Sequence, residues 1–160
     1  MNRLCVILAF LLVTLLTTAM YHICNPQWIL FRKGEAYFHN EEYSKAIFCY
    51  ERLRDLNFNN PDFLRHLGIA YSATGNPDKA VSAYEALLAC CPEAQHDVLV
   101  LASLYAEQDN VDRALDLLKT LTDTGSVTRL ATIYRARILA KSGRFEEAIH
   151  EYRKALGEEP

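Results

Sequence analysis

The chain has 160 residues, of which 51% are hydrophobic, and a formal net charge of −3. This length is sufficient for one small domain. The charge disfavours nucleic acid as a partner, because a nucleic-acid-binding surface needs a basic stripe and the lysines and arginines here form no run.

The first segment is apolar. Residues 4 to 31 contain no Asp, Glu, Lys or Arg. A membrane-spanning helix needs about 20 apolar residues, so we predict that residues 1–26 hold a single-pass membrane anchor across residues 4–24. Two alternatives stay open, namely a secretory signal cleaved after a small residue such as Ala19 and a buried helix of a soluble protein.

The side of the membrane is harder to assign, because Arg3 precedes the apolar segment and Arg32 and Lys33 follow it, so the positive-inside rule is nearly balanced. We expect the amino terminus in the cytoplasm and the following residues on the extracytoplasmic (periplasmic) side. An exported soluble protein after signal cleavage and a cytoplasm-facing chain are the alternatives.

After this segment, small and aromatic residues recur at an interval of 34 positions. A period in this range indicates stacked supersecondary units rather than one closed core. The four columns are Ala46, Ala80, Ala114 and Ala148; Tyr37, Tyr71, Tyr105 and Leu139; Gly34, Gly68, Ala102 and Ala136; and Tyr50, Tyr84, Leu118 and Tyr152.

Each period is predicted to form two helices. In the second period, Asn60 and Pro61 are suited to begin a helix, and Gly75 is suited to follow its end. Asn76 and Pro77 are suited to begin the next helix. Ser126 is a candidate cap for the seventh helix of this series. The predicted spans are 27–39, 42–56, 61–74, 77–89, 95–108, 111–121, 127–141 and 144–156.

Two of the small residues, Gly68 and Ala80, are predicted to lie where the paired helices approach most closely. A larger side chain there would hold the two backbones apart. Since no unit can bury its apolar stripe alone, neighbouring units must stack.

These residues resemble the tetratricopeptide repeat family over residues 27 to 160. The resemblance implies an all-α solenoid of helix-turn-helix units behind an N-terminal transmembrane or signal helix, with repeats at 27–60, 61–94, 95–128 and 129–160. The second repeat carries the motif best, through Leu64, Leu67, Gly68, Tyr71, Gly75, Ala80, Tyr84, Leu87 and Pro92.

In that family the first helix of each repeat lines a concave groove, which the resemblance implies as a partner-binding site here. The groove would be aromatic at its amino end and cationic at its carboxyl end. A chaperone-type carboxylate clamp is disfavoured, because Phe31 and Glu35 stand where it needs Lys and Asn. The candidate groove residues are Trp28, Phe31, Glu35, Phe38, Arg65, Ile69, Ser72, His96, Leu99, Ser103, Arg137 and Lys141. Packing of Trp28, Phe31 and Phe38 on the membrane-proximal helix is the competing interpretation.

Motifs for chemistry are missing from the sequence. It contains no HExxH pair, no Gly-rich phosphate loop, no Gly-x-Ser-x-Gly elbow and no CxxC motif. We therefore predict no enzymatic activity, no catalytic residue, no metal and no cofactor. A neighbouring free pair, Cys90 and Cys91, favours a reducing side, which opposes the orientation preferred above.

Two functions follow as hypotheses. The first is a non-enzymatic, membrane-tethered adaptor that binds a peptide or helix of another protein in the groove, by family analogy in the assembly of an envelope complex. The second is a structural subunit that stacks on copies of itself through its repeat ends. For the latter, Tyr152 and Leu156 belong to an apolar stripe on the last helix that a copy or another protein would cover.

Overall fold

A computed structural model describes residues 3–58, 60–121 and 128–158, and all regular structure in these ranges is α-helical. The chain divides into two compact units, residues 1–59 and 60–160. Unit 1 contains α1 (Arg3–Cys24), α2 (Pro26–His39) and α3 (Tyr43–Asp55). Unit 2 contains α4 (Pro61–Ala73), α5 (Pro77–Cys90), α6 (Gln95–Glu107), α7 (Val111–Lys119), α8 (Thr128–Lys141) and α9 (Phe145–Leu156).

The eight predicted repeat helices are all present. The largest difference in a boundary is at the end of α7, predicted at residue 121 and observed at Lys119. Consecutive helices pack as the pairs α2–α3, α4–α5, α6–α7 and α8–α9. The division of the chain into residues 1–26 and four repeats stays a prediction.

Asparagine and glycine delimit several of these helices. The Asn60 side chain accepts a hydrogen bond from the backbone N–H of Asp62 at 2.8 Å, as predicted. Asn76 differs, because its side-chain amide instead donates to the Thr74 carbonyl at 3.0 Å. Gly75 follows α4 with a φ of +73°, a left-handed conformation that favours glycine. The predicted cap Ser126 lies outside the described residues.

The repeat columns form the core. Ala46, Ala80 and Ala114 have no exposed surface, and Ala148 is 3% exposed. Gly68 lies directly beneath Tyr84, so that a Cβ atom at this glycine would be 2.6 Å from the ring carbon Cε2. The ring of Tyr84 therefore fills the space beside Gly68, whereas a close approach of the two helix backbones there stays a prediction.

Among the described residues no single helix is both long and apolar enough to cross a bilayer. One bent pair, Val6–Tyr21 with Pro26–His39 at 62°, reaches that length and composition together.

Candidate functional site

In unit 2, the first helices of the third and fourth repeats, α6 and α8, enclose a shallow hollow of about 140 Å³. We call it the α6–α8 hollow. It brings together three of the predicted groove residues, Ser103, Arg137 and Lys141. The complete lining is Ser103, Ala106, Glu107, Tyr134, Arg137, Ile138 and Lys141.

Two cations define the electrostatics of this hollow. The Arg137 guanidinium lies 5.5 Å from the centre of the Tyr134 ring, a cation–π contact. Both Arg137 and Lys141 are exposed, and neither takes part in an ion pair among the described residues. The Ser103 hydroxyl donates a hydrogen bond to the Leu99 carbonyl at 3.0 Å, so the Ser103 oxygen can still accept one. The hollow therefore presents two cations and one exposed carboxylate, that of Glu107, beside apolar and aromatic surface.

Arg65, which we also predicted as a groove cation, has a structural role. Its Nε donates to Asp97 Oδ1 at 3.0 Å, its Nη2 to Asp97 Oδ2 at 3.0 Å, and its Nη1 to Asp62 Oδ1 at 2.7 Å. These bonds raise the pKa of Arg65, and Asp97 is only 7% exposed. Since Arg65 belongs to α4 and Asp97 to α6, the pair connects the second and third repeats.

This connection yields a stability prediction. Replacing Asp97 by Ala is expected to reduce the free energy of unfolding by about 2 kcal/mol, because Arg65 loses its charged hydrogen bonds to a buried carboxylate. The matched change Asp62→Ala removes an exposed partner of the same arginine and should cost under about 1 kcal/mol. Urea denaturation of the three proteins measures both values, and equal effects of the two changes would contradict the assignment.

The remaining predicted residues of unit 2 have different environments. Ile69 is 37% exposed, whereas Leu99 is 5% exposed and packs in the core. Ser72 donates its hydroxyl to the Gly68 carbonyl at 3.1 Å, and His96 is exposed. Leu99 therefore contributes packing rather than accessible surface.

The predicted residues of unit 1 form an aromatic cluster around a residue that the sequence analysis missed. Trp28 and Phe31 contact each other with ring centroids 5.8 Å apart, and both contact Phe58, at 5.1 and 5.6 Å. Phe58 is 8% exposed and occupies the repeat position of Pro92. Because Pro92 is itself exposed, the repeat spacing does not indicate the burial of Phe58.

Two further residues of unit 1 are also engaged in contacts. The Tyr50 hydroxyl donates to the Glu35 carboxylate at 2.5 Å. Burial, followed by this hydrogen bond, raises the pKa of Tyr50. Phe38 packs edge-on against Tyr43, with ring centroids 5.8 Å apart. Both contacts lie within the α2–α3 pair and stabilise it.

Within the part of the chain that the structure describes, no group of three or more His, Cys, Asp or Glu side chains is placed to hold a metal ion.

These features define a helical-repeat protein built from 34-residue helix pairs. The family model described as tetratricopeptide repeat matches residues 31–94 and 99–160. A solved structure of MamA from AMB-1 is 30% identical to this chain, covering 84% of it and 73% of the MamA chain with a TM-score of 0.65. The chain belongs to the tetratricopeptide repeat family.

More distant structures share the fold. Another crystal structure of MamA has 17% identity and a TM-score of 0.73, covering 88% of this chain and 83% of the MamA chain. YrrB, described as a TPR protein with an unusual peptide-binding site, has 18% identity and a TM-score of 0.73, over 84% of this chain and 70% of YrrB. Curated protein sequences contain no significant match to the chain.

Proposed function

We propose that this protein is a non-enzymatic adaptor that binds an acidic segment of a partner protein in the α6–α8 hollow. The observation that carries the proposal is the exposed pair Arg137 and Lys141, which has no carboxylate partner among the described residues. Arg65 offers the contrast, because its charge is already neutralised by Asp97 and Asp62. Arginine beside an aromatic ring is a frequent energetic anchor of interfaces.

The test uses a fluorescein-labelled acidic peptide with a free terminal carboxylate, together with its amidated and lysine-rich counterparts. The acidic peptide should bind the full chain, and Arg137→Glu should raise its Kd about tenfold, a loss typical of an interface arginine. Fluorescence anisotropy measures the Kd at several salt concentrations. Added salt should weaken the binding, because the two cations are exposed.

Lys154→Glu on α9 is the matched control, since Lys154 is exposed and outside the hollow. Its Kd should equal that of the unchanged chain. The proposal fails if the lysine-rich peptide binds as well as the acidic one, or if both charge reversals weaken binding equally. Circular dichroism on each variant checks that the helices persist.

We further propose that α1 tethers this adaptor to a membrane, in the setting of an envelope complex. The apolar side chains of residues 6–21, within α1, are exposed, with Phe10 at 70% and Leu15 at 69%. Together with α2, α1 forms the bent pair that reaches the length and composition of a membrane span. The Thr14 hydroxyl donates to the Leu11 carbonyl at 2.9 Å, and an apolar environment requires such internal satisfaction of polar groups.

Flotation of the full chain with phosphatidylcholine vesicles tests the tether. The unchanged protein should float with the lipid, and the double change Leu12→Glu with Leu16→Glu should leave it in the soluble fraction. Phe48→Glu is the control, because Phe48 is 62% exposed on α3 and is not part of α1. Flotation of the double variant would contradict the proposal.

For the orientation, we propose that the repeats lie on the extracytoplasmic side. Cys90 is exposed whereas Cys49 is buried, so a membrane-impermeant maleimide should label Cys90 in intact cells. A Cys90→Ser variant identifies the labelled site. Labelling that appears only after cell lysis would place the repeats in the cytoplasm instead.

A further inference from the structure

One face of α9 leaves four apolar side chains exposed, and at two of these positions the second and third repeats bury theirs. Phe145, Ile149, Tyr152 and Leu156 are 64%, 52%, 38% and 63% exposed. At the repeat positions of Ile149 and Tyr152, α7 and α5 have residues that are at most 8% exposed, and α8 and α6 pack against these two helices. Those buried counterparts are Leu115, Leu118, Val81 and Tyr84. The exposed face of α9 is therefore of the kind that receives another helix.

The spacing of this face suits a two-helix seam. Its four residues, which we call the α9 stripe, follow each other at intervals of four, three and four positions. The mean interval is about 3.7 residues, close to the 3.6 residues of one α-helical turn, so the stripe keeps to one face along α9. A second helix with the same spacing could interdigitate along the full length of α9.

Charges beside the α9 stripe indicate what that second helix is. Glu146 follows Phe145 and Arg153 follows Tyr152, so the two opposite charges flank the stripe on the same side. Both are exposed, and neither forms an ion pair within the described part of the chain. Residues seven positions apart on a helix lie on one face, about 10 Å apart along the axis.

We propose that α9 pairs with α9 of a second copy in an antiparallel dimer with a two-fold axis. This arrangement sets Phe145 opposite Leu156 and Ile149 opposite Tyr152, and each contact occurs twice by symmetry. It also sets Glu146 of each copy beside Arg153 of the other. A parallel pair would place identical charges at the same level and lose this complementarity, so the charge pattern selects the antiparallel form.

The dimer is expected to be reversible, because α9 has only 12 residues and forms a short seam. Sedimentation equilibrium of the full chain in density-matched detergent micelles should therefore give a monomer–dimer equilibrium. Glu146→Arg turns both attractive pairs into repulsive ones and should raise the dimer Kd about tenfold. The double swap Glu146→Arg with Arg153→Glu restores opposite charges across the two-fold axis and should return the Kd close to its original value.

Two further variants separate this interface from the rest of the molecule. Leu156→Glu removes apolar contact and should abolish the dimer, whereas Arg137→Glu in the α6–α8 hollow should leave it unchanged. Circular dichroism confirms that each variant keeps its helices. A monomer at all concentrations overturns the proposal, and so does a double swap that associates as weakly as the single change.

Discussion

A Gly68→Leu variant is expected to lose about 3 kcal/mol of unfolding free energy, the upper part of the range for an overpacked core. Even a Cβ atom at this position would lie 2.6 Å from Tyr84 Cε2 and 2.9 Å from Cδ2. Tyr84 is 2% exposed, so its ring has no solvent to move into without separating α4 from α5. Urea denaturation monitored by circular dichroism measures the change.

The chain itself supplies the compensating change. In the third repeat the column of Gly68 is occupied by Ala102, and the column of Tyr84 by Leu118; both residues have no exposed surface. Gly68→Ala alone should therefore cost about 1–3 kcal/mol, and adding Tyr84→Leu should recover most of the loss. Ser82→Leu, on the exposed side of α5, is the control for added apolar bulk. Unchanged stability of Gly68→Leu would show that the helix pair tolerates separation.

The helices were predictable from sequence because each repeat packs two helices with the same kinds of residue at the same positions. A buried small residue such as Ala80 and a buried aromatic such as Tyr84 recur at fixed positions. Consequently, where the pattern of one repeat is ambiguous, the same positions in the other repeats still indicate its helices. Capping is less regular, since Asn60 accepts a backbone hydrogen bond and Asn76 does not. Side-chain rotation within a turn is not encoded in the repeat spacing.

The candidate site was only partly predictable, because the spacing assigns a residue to a helix face but not to its partners. Arg137 and Arg65 were both assigned to first helices, yet only Arg65 finds a buried carboxylate, Asp97. That carboxylate lies 32 positions further along the chain, outside the 34-residue columns. Whether a cation on a first helix is neutralised thus depends on pairing between repeats, which a single-repeat pattern does not describe.

The largest single-residue effect outside the columns is expected at Arg135, on α8. It replaces the buried leucine of earlier repeats, Leu67 and Leu101, and its Nη2 donates to Glu151 Oε1 at 3.0 Å on α9. The two side chains are only 18% and 10% exposed. Arg135 Nε and Glu151 Oε2 have no hydrogen-bond partner. The pair is therefore mostly buried, and it lies at the wall of an open cavity of about 610 Å³ that α7, α8 and α9 line.

Removing one partner of this pair should lower the free energy of unfolding, whereas replacing both partners by leucine should not. Arg135→Leu leaves the Glu151 carboxylate buried alone, and a loss of about 3–5 kcal/mol is expected. In the third repeat the position of Glu151 is occupied by the half-buried Leu117, and that of Arg135 by the buried Leu101. The double change Arg135→Leu with Glu151→Leu reproduces that apolar pair. Its free energy of unfolding should equal that of the unchanged chain or exceed it by up to about 4 kcal/mol, since no unpaired polar atom remains. Urea denaturation of the single and double variants gives the coupling between the two residues. A double variant as unstable as Arg135→Leu alone would mean that the fourth repeat needs its ion pair, and that the leucines of the third repeat are no model for it.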